Sequence, residues 1–195
     1  MEPSRADRRR QRTRERLRQA FIALLKRKRY EDISVQDIIE RADVARSTFY
    51  LHYIDKEDLL LGNGGVFASH AEPRVSPEEH DRLVGTGIFP TTLWFRHIQL
   101  QSPILKTIAK DSAFDLAMKN FSEILRQDAR ARLEPSFPTE SPIPLGLVVE
   151  YLTNSLMACI QWWVRQDMPY SPEHMDELFQ QLVMPSVRTL LEVPS

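Results

Sequence analysis

The sequence predicts an all-α protein, and three observations carry that prediction. Apolar residues recur at three- and four-residue intervals along most of the chain. No segment shows the strict apolar–polar alternation of a half-buried strand, and no internal repeat is present. Helix-start and helix-stop residues punctuate the chain at the spacing expected of ordinary globular helices. The organisation that follows is a three-helix head with a helix-turn-helix over residues 1–62, then a helical domain over residues 63–195.

The first helix rests on Leu17, Ala20, Phe21, Leu24 and Leu25, which share one face; it is expected to begin between Arg8 and Thr13 and to end near Lys28. Arg5 to Arg10 then form an arm able to reach a phosphate backbone or an adjacent minor groove. Ser34 caps a short helix, with Asp37 three residues later as the acidic partner of its exposed amides. Ile38, Ile39 and Ala42 supply the apolar face of that helix, and Asp43 with Val44 makes a tight turn. Phe49 and Tyr53, four residues apart, mark the inner side of the next helix, Arg46 to Tyr53. A further helix opens near Lys56 and ends near Leu61, because Gly62-Asn63-Gly64-Gly65 follows and each glycine costs about 1 kcal/mol inside a helix.

Beyond the glycines, Ser76-Pro77-Glu78-Glu79 has the cap, proline and acids of a helix start. Thr91 to Lys110 is amphipathic and is punctuated by Pro103. Ala113 to Leu133 places Phe114, Met118, Phe121 and Leu125 along one stripe, and Pro135, Pro138, Pro142 and Pro144 then make an extended connector. Leu147 to Arg165 is apolar nearly all round, so it must be buried on more than one side. Ser171 caps a last helix that starts at Pro172, and Pro185 should kink or interrupt it.

The helix Arg46 to Tyr53 has a marked division of faces. At roughly 100° per residue, Phe49 and Tyr53 lie within about 40° of each other. Ser47 and Leu51 sit opposite them with Thr48 beside, and Tyr50 and His52 flank this outward face. Small and hydrogen-bonding residues outward, with a hydroxyl and an imidazole at the edges, suit a major groove: the centre meets base edges and the flanks reach phosphates. The run from Val35 to Leu59 resembles the N-terminal domain of the TetR family of bacterial transcription regulators. In that family the second helix of the motif carries a Thr-aromatic-Tyr core, ends in an aromatic residue and is followed by a lysine. Here those positions are Thr48, Phe49, Tyr50, Tyr53 and Lys56. The resemblance implies that Tyr50 and Lys56 hold phosphates, that Arg46, Ser47, Thr48 and His52 face the groove, and that Gln36 reaches DNA as well. Leu51 departs from the usual polar or aromatic residue, which suggests contact with a thymine methyl group. The resemblance covers roughly residues 10–62. The run WWVRQDMPYSPEHMDELF also resembles a C-terminal domain type of the same family, in which a Trp-rich helix precedes a Met-Pro-Tyr-Ser-Pro turn.

Charge agrees with a nucleic-acid partner. The chain holds 26 basic and 27 acidic residues, yet residues 1–56 carry 15 Lys/Arg against 9 Asp/Glu, and residues 1–29 alone carry 12 against 3. A near-neutral average therefore hides a basic head on an acidic body. No apolar run reaches the roughly 18 residues needed to span a bilayer, so no membrane partner is expected. The N-terminus has no signal-peptide pattern, and the single cysteine, Cys159, fits a reducing cytoplasm.

The two C-terminal apolar helices are what a two-fold four-helix interface needs, which predicts a homodimer joined through Leu156, Cys159, Ile160, Trp163, Leu178 and Leu182. A small-molecule effector pocket inside the helical body is expected to draw on Trp94, Phe95, His97, Phe114, Met118, Phe121, Tyr151 and Trp162. Two heads related by a two-fold axis would read a palindromic double-stranded operator, and an effector that changes their separation would release it. Enzymatic readings find no support. The five histidines lack metal-ligand spacing, no glycine loop is followed by Lys-Ser/Thr, and no nucleophile elbow is present, so neither metal nor cofactor is expected. The alternative to a repressor is a regulator that keeps this fold and acts by binding another protein, such as a coactivator; the basic head with Thr48, Tyr50 and Lys56 favours DNA.

Overall fold

A computed structural model describes residues 4–62, 65–67, 91–138 and 140–191. The described residues form ten α-helices and two short 3-10 turns, with no strand. The helices are α1 (Arg5–Leu25), α2 (Val35–Ala42), α3 (Arg46–Tyr50), α4 (Lys56–Leu61), α5 (Thr91–Leu100), α6 (Ser102–Ile108), α7 (Ser112–Leu133), α8 (Leu145–Arg165), α9 (Pro172–Leu182) and α10 (Met184–Leu191). None of them is long and apolar enough to cross a membrane. The chain divides into two compact units, Met1–Ala71 with Thr107–Ala117, and Glu72–Lys106 with Met118–Ser195.

In the first unit, α1 starts earlier than its apolar spacing predicts. Ser4 accepts from the Asp7 amide and Asp7 accepts from the Ser4 amide, a capping box that satisfies exposed donors and lets the helix begin at Arg5. The residues expected as an arm are therefore helical, and the helix stops at Leu25 rather than Lys28. Its face of Leu17, Ala20, Phe21, Leu24 and Leu25 packs on α2, whose Ile38, Ile39 and Ala42 are buried in turn. Ser34 and Asp37 form the second capping box at the residues the spacing singles out. Asp43 ends α2 in the left-handed region at φ 50°, a conformation Asp tolerates better than most residues, and the Val44 amide closes the turn on the Ile39 carbonyl at 3.1 Å.

The helix expected over Arg46 to Tyr53 is regular only to Tyr50, but the Tyr53 amide still donates to the Phe49 carbonyl at 3.0 Å, so the inner aromatic pair survives. The α4 helix ends at Leu61, and the chain doubles back: the amides of Val66 and Phe67 donate to the carbonyls of Leu59 and Leu60, each at 2.8 Å. Glycine is required at 62 for space. A Cβ there would run into the carboxylate and the carbonyl of Asp58. The helix start expected at Ser76-Pro77 lies outside the described residues.

The second unit is built on aromatic contacts and a few buried polar ties. Gln101 separates α5 from α6, and Pro103 sits in the first turn of α6, where it costs no helical hydrogen bond. The hydroxyls of Thr91 and Thr92 donate to the Asp176 carboxylate, which joins α5 to α9, and Arg126 reaches from α7 to Glu150 on α8 at 2.7 Å. Helix α8 closes with Asp167 and Met168 at φ 62° and 55°. That reversal brings the Tyr170 carbonyl 3.0 Å from the Trp163 indole nitrogen, which donates to it. Pro185 separates α9 from α10 as a one-residue break at Val183.

Candidate nucleic-acid interface

The presented surface of α3 follows from what its inner face buries. Phe49 and Tyr53 are sealed in the core of the first unit, their ring centroids 5.9 Å apart, and burying such side chains is worth about 1.5–3 kcal/mol each. Five helical residues do not hold themselves in a helix; this aromatic anchor fixes the orientation of α3. With Phe49 pointing inward, Arg46, Ser47, Tyr50 and Leu51 are exposed, while Thr48 and His52 are half-buried at the margins. Leu51 is 82% exposed, its aliphatic side chain bare on this outward face. The Tyr50 ring stands edge-on to Phe49 with centroids 5.3 Å apart, and the Arg46 guanidinium lies 5.8 Å from the Tyr50 centroid. The ring directs Tyr50 outward beside Arg46 rather than leaving it free.

The elements around α3 set its frame. Asp37 accepts from the amide and hydroxyl of Ser34 and from Lys28 at 2.7 Å, and these bonds hold its carboxyl far below the ordinary carboxylate range. Arg16 donates to the carbonyl and the carboxylate of Asp43, at 2.8 and 3.2 Å. Gln36 is exposed on α2, its amide donating to Glu40 at 2.7 Å. Burial first, then the charges of Arg14 and Arg10, keeps the His52 imidazole below its usual pKa, so the ring is neutral near pH 7.

Lys56 is placed differently from what the resemblance implies. Its ammonium donates to the carbonyls of Tyr30 at 2.8 Å and Ile33 at 2.9 Å, with Glu31 at 3.4 Å, and lies 4.3 Å from the centroid of the Tyr30 ring. Its donors are thus spent inside the protein, bracing the turn that delivers the chain to α2. The Tyr30 amide on that turn donates to Asp111 at 2.9 Å, and the same carboxylate caps α7 through the Ala113 amide. Neither Asp111 nor this brace is announced by sequence, because both depend on contacts between residues far apart in the chain.

Residues 18–62 match the family of bacterial regulatory proteins of the tetR type, and residues 91–185 match a transcriptional-regulator C-terminal region. The chain belongs to the TetR family. Its relatives include an uncharacterised HTH-type transcriptional regulator, YxbF, of Bacillus subtilis (strain 168), 47% identical over 86% of this chain and 43% of that protein. The chain therefore spans less than half the length of that curated relative. Among solved structures, a TetR transcriptional regulator from Streptococcus agalactiae 2603V superposes with a TM-score of 0.59 at 27% identity, covering 91% of this chain and 97% of that one. A TetR-family structure from Syntrophomonas wolfei str. Goettingen gives 0.60 at 19% identity, over 93% and 98%, and shares the fold.

In the TetR C-terminal region, only part of the expected pocket set comes together. Trp94, His97 and Phe121 form one aromatic cluster, with Trp94 edge-on to Phe121 at 5.3 Å and His97 stacked on it at 6.1 Å. Met118 is buried as well. Phe95 turns to meet Trp163 edge-on at 5.6 Å, and Phe114 is buried in the first unit. Tyr151 and Trp162 are exposed and stand apart from this cluster. Tyr151 lines a shallow apolar groove of about 340 Å³ with Ile143, Leu147, Val148 and Val187, and Trp162 stacks on Tyr170 at 6.2 Å.

The expected dimer residues divide in the same way. Leu156, Ile160 and Trp163 are fully buried within the single chain. They form the most apolar stripe of α8, which faces the core of its own unit. Cys159 and Leu178 are half-buried, burial raising the Cys159 thiol above its ordinary pKa, while Leu182 is 71% exposed. On the opposite stripe of α8, Leu147, Tyr151, Asn154, Ala158 and Trp162 are all exposed and fall within an arc of about 80°.

Proposed function

We propose that this chain is a dimeric, DNA-binding transcription regulator of the cytoplasm, acting as a repressor that a small molecule releases from a palindromic operator. The observation that carries the reading is the outward face of α3, where a buried aromatic anchor presents Arg46, Ser47, Thr48 and the bare Leu51 together. In the groove, Arg46, Ser47 and Thr48 would meet base edges and Leu51 a thymine methyl, while Tyr50, His52 and Gln36 lie at the rim, where phosphates run. Lys56 then serves this surface by bracing the Tyr30–Ile33 turn behind it. The division into a DNA-reading domain at residues 1–62 and an effector-binding and dimerisation domain at 63–195 belongs to the same reading.

Two features of the second unit support the remaining parts. Leu147 at 60% exposed and Leu182 at 71%, with Tyr151 and Trp162, leave apolar area on α8 and α9 suited to a two-fold contact. The indole nitrogen of Trp94 and the hydroxyl of Thr153 are buried without a hydrogen-bond partner among the described residues, at a cost of about 1–3 kcal/mol each, which a polar effector would relieve.

The test is selection of genomic fragments by the full chain, followed by binding measurements on the recovered duplex. Thr48→Ala and Tyr50→Ala should each weaken binding at least tenfold, whereas Leu51→Ala should alter base preference with little change in salt dependence. Wild-type affinity in the Thr48 and Tyr50 variants would remove the groove-reading assignment.

A further inference from the structure

We propose that the first three turns of α1, Arg5 to Arg16, are a second DNA-contacting element: a rigid arginine helix that lies along the phosphate backbone beside the groove read by α3. The proposal rests on the DNA-binding reading above and extends it to the duplex flanking the read bases.

The packed part of α1 begins only at Leu17. From Arg5 to Arg16 every residue is exposed except the half-buried Thr13, so this stretch contributes nothing to the core. It carries seven arginines, no lysine and two acids, and both acids are locally engaged: Asp7 on Ser4, and Glu15 on Arg18 and Gln19. No ion pair within the described residues holds Arg5, Arg8, Arg9, Arg12 or Arg14. Yet the segment is ordered, because the Ser4–Asp7 capping box starts the helix one residue later. Side chains that remain unpaired are thus displayed on a preformed rod. Arg5, Arg8, Arg9, Arg12 and Arg16 occupy an arc of about 100°, with Arg10 and Arg14 on the other side.

The rod starts beside the reading helix. Arg16 grips Asp43 on the turn that leads into α3, and Arg14 and Arg10 lie near enough to His52, just past the end of α3, for their charges to depress its imidazole. A polyanion seated on α3 would therefore lie close to the arginines at this end of the rod.

The chemistry selects duplex phosphate over other partners. Arginine's planar fork matches phosphate in two-point contact. A membrane surface would need an apolar face, and Ala6 is the one apolar residue in this stretch. The helical form also excludes the minor groove offered by an extended arm, since a helix about 10–12 Å across does not enter a groove about 6 Å wide. Twelve residues span about 18 Å, long enough to reach several successive phosphates of one strand.

The test uses the full chain with Arg5, Arg8, Arg9 and Arg12 all changed to Ala, which keeps the helix. Affinity for the duplex selected by the wild type is followed from low to physiological salt. The plot of log affinity against log salt should flatten by about 0.9 for every phosphate the variant no longer neutralises, roughly 3 to 4 for each bound protomer. Hydroxyl-radical protection should shrink at the flanks, with base preference unchanged. A matching set of Lys substitutions should restore most of the slope. An unchanged slope and footprint, with the wild type binding DNA normally, overturns the proposal alone; failure of the wild type to select any duplex overturns the DNA-binding reading with it. Phosphatidylserine vesicles supply the last arm: vesicle binding abolished in the Ala variant, with the DNA slope intact, would assign the helix to a membrane surface instead.

Discussion

Asp37 shows how much a single surface carboxylate organises here. It closes the capping box of α2 and ties Lys28 to it, and the same bonds depress its pKa. A group depressed in the folded state contributes stability above its unfolded pKa, about 3.9, and that contribution is lost as pH falls through the folded value. Asp37→Asn should therefore lower Tm at pH 7, and its deficit should narrow steadily as the pH is taken below 4. A deficit that stays constant down to pH 2 would show that the charge of Asp37 is not what matters. Both capping boxes have the Ser-x-x-Asp spacing in the sequence, yet only Ser34–Asp37 stands directly before an apolar periodic run. At Ser4 the apolar face lies three turns away, so the start of α1 is legible only from the cap itself. Lys56 differs again: its fourfold setting of three carbonyls and one ring depends on Tyr30 and Ile33, 26 and 23 residues earlier.

Among the elements, α3 and α4 illustrate two limits on reading structure locally. Helix α3 has five residues, too few to persist alone, and exists because Phe49 and Tyr53 are buried. The aromatic spacing makes that burial legible, whereas the exact helical end does not follow from it. Helix α4 stops where the glycines predict, but the reason is space as well as propensity. Gly62→Ala should cost about 1–3 kcal/mol in chemical denaturation, because its Cβ would strike the Asp58 backbone carbonyl as well as a carboxylate already accepting from the Ile54 amide. Gly146→Ala on α8 is the matched control. With nothing within 4 Å of its Cβ, it should be neutral or stabilise by up to about 1 kcal/mol. Equal effects at the two sites would show that helix propensity, not crowding, governs α4.

For the whole molecule, the prediction concerns which stripe of α8 faces a second copy. Leu147→Glu with Trp162→Glu places charges on the exposed stripe, and sedimentation at micromolar concentration should find the wild type as a dimer and this variant as a monomer. The helical content by circular dichroism should be unchanged, since both residues are exposed. A dimer that survives both charges would exclude this stripe as the contact.

The sequence alone determined the helical class, the helix-turn-helix with its inner Phe49–Tyr53 pair, the basic head and the family. Each is carried by residues close together in the chain, through spacing, caps and local charge. It did not decide which side of an almost wholly apolar helix is inside. On α8, hydrophobicity marks Leu156, Ile160 and Trp163 as strongly as Leu147 and Trp162, and the choice between them falls to the partners across the fold. The Phe95 ring against Trp163 and the Tyr170 carbonyl on its indole settle that face inward, leaving the other to solvent. Tertiary contacts likewise turned the ammonium of Lys56 inward and set α1's arginines on an ordered rod beside α3, because hydrogen bonds and burial between distant residues have no signature in local spacing.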